Sequence, residues 1–107
     1  MSPRNDAVPI FAALGDPTRL SLVLRLGQKG PMSITRLTDK ADVTRQAVSK
    51  HLAVLEGAGL VKSETRGRER IWELAPERLD DARAQLDRIS QSWDAALDRL
   101  KAMVETD

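Results

Sequence analysis

The sequence predicts a mainly α-helical domain closed by a small β-hairpin, in the order helix, helix, helix, helix, strand, strand, helix. Three observations predict it. Val48, Leu52 and Leu55 recur at helical spacing, and their run ends on the Gly57 and Gly59 pair. A short β-like run then feeds the basic tip Arg66-Gly67-Arg68-Glu69-Arg70. The last segment, 76–104, starts on Pro76, has no glycine, and repeats apolar residues every seven. A helix, a tight turn and a basic β-wing in that order describe a winged helix-turn-helix.

Each element has its own signal. Residues 7–14 (Ala-Val-Pro-Ile-Phe-Ala-Ala-Leu) read as a short apolar helix, with Pro9 tolerable only in the first turn and Gly15 closing it. Asp16-Pro17 supply an N-cap and a first-turn proline for a second helix. Its apolar face is read as Leu20, Val23 and Leu24, with Leu26 at the margin, and residues 27–30 end it. Ser33 caps a third helix, 34 to about 41, packed through Ile34 and Leu37. Asp42-Val43-Thr44 is the turn, and Thr44 caps the fourth helix. Strands are expected at 60–65 and 70–74 around Gly67, with Trp72 and Leu74 alternating against Ile71 and Glu73 so that one face covers the core. No repeat, low-complexity tract or linker divides the chain. The expectation is one domain over 1–107, with a 16–75 core and a 76–104 helix for pairing.

Composition bounds the function. A chain of 107 residues supports one apolar core without disulfides. It has no cysteine and one histidine, so it offers no thiolate site, and no cofactor is expected. No apolar run approaches the ~20 residues of a membrane span, and residues 1–6 lack the apolar centre of a signal peptide. A cytoplasmic protein without a membrane partner is expected. There is no nucleophile motif, phosphate-binding glycine loop or recognisable carboxylate pair, which argues against an enzyme.

Net charge is only +1, but it is unevenly spread. The first 32 residues balance to +2, residues 33–70 carry eight basic and five acidic groups, and residues 71–107 carry five and nine. Either this is ordinary scatter on a charged surface, or a positive half faces phosphate while an acidic half is held away from it.

On the fourth helix, Val48, Leu52 and Leu55 fall within about 60° of one another and mark the buried side. Arg45, Gln46, Ser49, Lys50 and Ala53 form an arc centred about 130° away. Arg and Lys donate to guanine O6 and N7, Gln pairs with adenine, Ser serves bases or phosphate, and Ala53 keeps the approach open or meets a thymine methyl. Double-stranded DNA is the expected partner, against the plainer reading of a solvated helix face. Thr44, Arg45, Gln46, Ser49 and Lys50 are therefore candidate DNA contacts, together with Arg66, Arg68 and Arg70 of the wing. Arg70 has the alternative of pairing with Glu64 or Glu69. Arg19, Thr35 and Arg36 are weaker phosphate candidates, with surface ion pairs as the competing use. His51 lies nearly opposite the centre of the arc and reads as a partly buried hydrogen-bonding residue, with a phosphate contact at the edge as the other use. One histidine without cysteine makes no zinc site.

The last helix carries a second signal. Leu79, Leu86, Trp93 and Leu100 are spaced by seven, and Ala82, Ile89, Ala96 and Met103 fill the intervening positions over four heptads. A solitary helix lying on its own domain shows a broader face, so self-association is expected, against a stripe that packs only within the subunit. Leu79, Leu86, Ile89, Trp93 and Leu100 are the candidate dimer residues, joined by Val8, Phe11 and Leu14 of the first helix. Two recognition helices about 34 Å apart enter successive major grooves. A winged-helix module that binds protein and leaves DNA alone is the alternative reading.

Asp16-Pro17-Thr18-Arg19-Leu20, Val48-Ser49-Lys50-His51-Leu52 through Leu55, Ala58-Gly59-Leu60-Val61, Arg66-Gly67-Arg68 and Trp72-Glu73-Leu74 follow in that order over roughly residues 10–76. The set resembles the arsenical-resistance-repressor (ArsR) family of prokaryotic winged helix-turn-helix regulators. The resemblance implies a homodimer that binds an operator at a promoter, usually as a repressor, and lets go when an inducer or metal binds. It also implies base contacts from Arg45, Gln46, Ser49 and Lys50, and flanking contacts from the wing. One departure stands out. Ser33-Ile34-Thr35-Arg36-Leu37 occupies the place of a Cys-x-Cys in thiolate sensors, and the last helix lacks the histidines of zinc and nickel sensors. Asp80, Asp81, Asp87, Asp94 and Asp98 suit only weakly held hard cations. The likeness is to metal-independent members with a tryptophan-bearing last helix, in which induction comes from an organic ligand, a partner protein or simple autoregulation.

Overall fold

The computed structural model describes residues 7–39 and 42–105. Helices α1 (Val8–Leu14) and α2 (Pro17–Lys29) lead into a two-residue strand β1 (Met32–Ser33) and helix α3 (Ile34–Thr38). Helix α4 (Arg45–Gly57), strands β2 (Val61–Arg66) and β3 (Glu69–Leu74), and helix α5 (Pro76–Glu105) complete the described order. The sheet is antiparallel in the order β1-β3-β2, with Met32 opposite Trp72 and Val61 opposite Leu74.

Local chemistry starts each helix. The Asp16 carboxylate accepts from the Thr18 and Arg19 amides at 2.9 and 3.0 Å, and Pro17 sits in the first turn. Ser33 Oγ accepts from the Arg36 amide at 3.3 Å and Thr44 Oγ1 from the Ala47 amide at 3.1 Å. These satisfy amides that have no partner inside the helix. Gly59, at φ 80, then turns the chain from α4 into β2, a left-handed conformation that any residue with a Cβ resists.

The core gathers where α1, α2, α3 and α4 meet the sheet, and Ile10, Leu37, Val48, Leu52, Leu55 and Leu60 are fully buried. Each such side chain contributes about 1.5–3 kcal/mol relative to exposure. The buried face of α4 is therefore the one its spacing predicts.

Two expectations are corrected, and one element is new. The core face of α2 is Leu22, Val23 and Leu26, whereas Leu20 and Leu24 remain 43% and 53% exposed. Leucine or valine fills five of the seven positions from 20 to 26, so spacing alone selects either of two stripes that lie about 130° apart. Helix α3 ends at Thr38, not near residue 41, because Asp39 is already extended and Arg25 collects the terminal carbonyls of Leu37 and Arg36 at 2.9 and 3.1 Å. Ala41 lies outside the described residues. Strand β1 has no counterpart in the reading of the sequence, since two residues carry no alternation to detect.

Helix α5 runs for 30 residues, about 45 Å of rise. Only its first turns rest on the body: Ala82 is buried and Leu79 packs partly on the core. The molecule measures 69 Å along its longest axis against 36 and 20 Å across. No helix among the described residues is long and apolar enough to cross a membrane.

Candidate nucleic-acid interface

The outward side of α4 follows from its inward side. With Val48, Leu52 and Leu55 fixed in the core, Arg45, Gln46, Ser49, Lys50 and Ala53 are all exposed on one arc. The side chains of Arg45, Gln46, Ser49 and Lys50 have no hydrogen-bond or ion-pair partner among the described residues. Two cations, an amide and a hydroxyl stand ready for base edges or phosphate. Thr44, itself exposed, accepts from the Ala47 amide as the helix cap.

Beside α4, the shallow hollow between α3 and the start of the helix encloses about 330 Å³ and is lined by Thr35, Arg36, Thr38, Asp39 and Arg45. Arg36 and Arg45 give it a positive edge, with Asp39 as the opposing charge. Thr38 donates its hydroxyl proton to the Ile34 carbonyl at 2.7 Å, so it has no donor left for a ligand there.

The wing differs from the sequence reading in its pairings. Residues Gly67 and Arg68 alone join the strands, and Gly67 has φ 65, a left-handed conformation that favours glycine. Arg66, a candidate for DNA, donates from its Nε to Glu64 at 2.7 Å. The two lie two apart on one strand and so share a face. Arg70 pairs with neither Glu64 nor Glu69. Its Nε donates to Ser63 Oγ at 2.8 Å, and its guanidinium lies 5.9 Å from the Trp72 ring centroid. Arg68, at the turn, is exposed and has no side-chain partner among the described residues. Of the three wing arginines it alone is uncommitted.

Behind α4 a small polar cluster ties the helices together. Arg19 is not a phosphate ligand in this arrangement: Nε donates to the Ala13 carbonyl at 2.6 Å, and a second nitrogen approaches Ala12 O at 3.5 Å. It thereby serves the open C-terminal end of α1. Its third nitrogen lies 3.4 Å from His51 Nδ1. Asp16 Oδ2 stands 3.9 Å from the same atom. The Arg19 amide holds the Asp16 carboxyl below the usual carboxylate range; desolvation, next in size, opposes it, and His51, the Arg19 charge and the Thr18 amide each lower it by less. His51 is thus a half-buried hydrogen-bonding residue.

The apolar residues read as dimer contacts divide. Phe11 and Leu79 are half-buried against the subunit's own core. Val8, Leu86, Ile89, Trp93 and Leu100 are exposed, Trp93 by 64%. Leu97 and Val104, outside the two-residue stripe read from the sequence, are equally bare, which widens the apolar face. Among the described residues, no group of three or more His, Asp or Glu side chains is gathered as a bound metal ion would need.

Comparison with known proteins adds a separate line. A family model described as a helix-turn-helix domain matches residues 14–64. The HTH-type transcriptional regulator Rv2034 of Mycobacterium tuberculosis is 37% identical over 97 residues, covering 91% of this chain and 87% of that one. The arsenical resistance operon repressor of Escherichia coli is 28% identical over 97 residues, covering 91% and 80%. The solved structure of an ArsR-like transcriptional regulator from Rhodococcus sp. RHA1 superposes with a TM-score of 0.73 at 34% identity, covering 95% of each chain.

Proposed function

Since the chain belongs to the ArsR family of winged helix-turn-helix transcriptional regulators, we propose that it works as a cytoplasmic homodimer on a near-palindromic operator. It is a DNA-binding transcriptional repressor and not an enzyme. In the proposed complex α4 enters the major groove. Arg45 and Lys50 donate to guanine edges, Gln46 pairs with adenine, and Ser49 takes a base or a phosphate. Arg68 reaches the flanking backbone or minor groove, where negative potential favours arginine. Arg36 and Thr35 contact the phosphates beside the α3 hollow.

One observation carries this reading: the four polar side chains of the α4 arc are exposed together and uncommitted, on the opposite side from three fully buried apolar residues. The exposed stripe of α5 supports the dimer, because an apolar face of that length left in water costs free energy that pairing recovers. With no cysteine among the 107 residues, release from DNA does not run through thiolate coordination of a metal.

Selection of bound fragments from the source genome, followed by footprinting, tests the proposal. The expected footprint is two related half-sites one helical turn, about 34 Å, apart. Failure to enrich any duplex, or a single protected half-site without a symmetric mate, overturns it.

A further inference from the structure

Helix α3 is too short to hold its own direction. Its five residues close little more than one turn, and its last carbonyls have no partner within the helix. Leu37 anchors it in the core, but apolar burial is non-directional and does not aim the helix end. What aims it comes from α2. Arg25, half-buried, donates through one terminal nitrogen to the Leu37 carbonyl at 2.9 Å and the Asp39 carbonyl at 3.4 Å, and through the other to the Arg36 carbonyl at 3.1 Å. Among the described residues no other side chain bonds to these three carbonyls.

The three carbonyls stand where the reading unit is joined. From Asp39 the chain passes to the cap of α4 at Thr44. Arg36, whose carbonyl Arg25 holds, lines the same hollow as Arg45. In the proposed complex Arg36 meets a phosphate and Arg45 a base. A phosphate contact sets the register and a base contact reads it, so the two must be kept at one spacing. The planar guanidinium suits this task because its fork serves several acceptors in a fixed geometry, whereas an ammonium is a point charge on a flexible stem.

We infer that Arg25 is a positioning residue for sequence reading: it fixes the end of α3 against α2, so that the phosphate contact of Arg36 and the base contacts of α4 keep one register. The inference rests on the major-groove reading proposed above and deepens it. Arg25 itself spends its donors on the chain's own carbonyls and touches no DNA. Releasing the α3 end therefore costs discrimination between sequences and spares the general attraction to phosphate, since every cation facing the duplex is still present.

Arg25→Lys tests this, because it keeps the charge and gives up the fork. Leu26→Ala, the next residue, is the stability control: it empties a buried site and leaves the three carbonyls held. Fluorescence anisotropy on the footprinted operator and on an unrelated duplex of equal length, well below each variant's melting midpoint, gives the ratio of the two affinities and their salt slopes. Arg25→Lys is expected to lower the ratio about tenfold or more, the equivalent of a lost base contact, with the unrelated duplex bound as by the parent protein and with the same slope. Leu26→Ala is expected to lower the midpoint and keep the ratio. A parent-like ratio in Arg25→Lys, an equal loss on both duplexes, or the same fall in ratio from Leu26→Ala overturns the positioning role and leaves α4 as the reader. A parent protein that binds the two duplexes equally overturns the groove reading itself.

Discussion

Arg66→Ala and Arg68→Ala lie two residues apart on the wing and are expected to part company in salt. Arg68 is exposed and uncommitted, whereas Arg66 is already neutralised by Glu64. If a dimer displaces counterions from about 6 phosphates, with Arg68 of each subunit at one of them, the log–log slope of affinity against salt is about −5. Arg68→Ala removes two of these per dimer and brings the slope to about −3.5. Over a fourfold rise in salt, the loss of affinity shrinks from roughly a thousandfold to roughly a hundredfold. Arg66→Ala is expected to move the slope by less than half as much. Fluorescence anisotropy of a labelled cognate duplex, repeated across a potassium chloride series, measures all three. An Arg68→Ala slope equal to that of the parent protein, or an equal shift from Arg66→Ala, refutes the division of labour on the wing. A flat parent slope refutes phosphate contact altogether.

Four further outcomes are expected. Arg45→Ala or Lys50→Ala costs about 1–3 kcal/mol on the cognate site and much less on unrelated duplex, so equal losses on both sequences would remove these residues from base reading. Leu86→Asp buries a carboxylate in the α5 seam and yields a monomer by sedimentation; an unchanged mass defeats the pairing stripe. Gly59→Ala forces a Cβ into the left-handed region and to 2.7 Å from Arg78 Cγ, destabilising the fold by about 1–2 kcal/mol. Adding Arg78→Ala should recover only the steric part in urea melts. Asp16→Asn isolates a depressed carboxyl. Its folded value lies below 3.8, so the stabilisation is present above that pH and disappears as pH falls through the folded value. The gap between the urea midpoints of the parent and Asp16→Asn therefore closes in acid, and a gap that persists there contradicts the charge assignment.

Much of the fold is legible in the sequence because it rests on local rules. Asp16, Ser33 and Thr44 announce helix starts through cap chemistry that involves only the next three residues. The buried side of α4 follows from Val48, Leu52 and Leu55, since polar neighbours leave one apolar stripe to choose. In α2 the same rule fails, because its leucines are too dense and what decides is which of them the sheet and α4 cover. The wing shows a second limit. Arg66, Arg68 and Arg70 are alike in sequence, and strand pairing alone brings Ser63 opposite Trp72, within reach of Arg70. The use of Arg19 depends likewise on a carbonyl left open by α1, which no spacing records.

The guanidinium of Arg19 grips the end of α1 on one side and the ring of His51 on the other, while its backbone is held by Asp16 at the head of α2. One residue thereby ties the end of α1 and the head of α2 to the middle of α4. In the proposed dimer, a shift of α1 is expected to reach α4 through that tie, at a distance from the operator-facing arc.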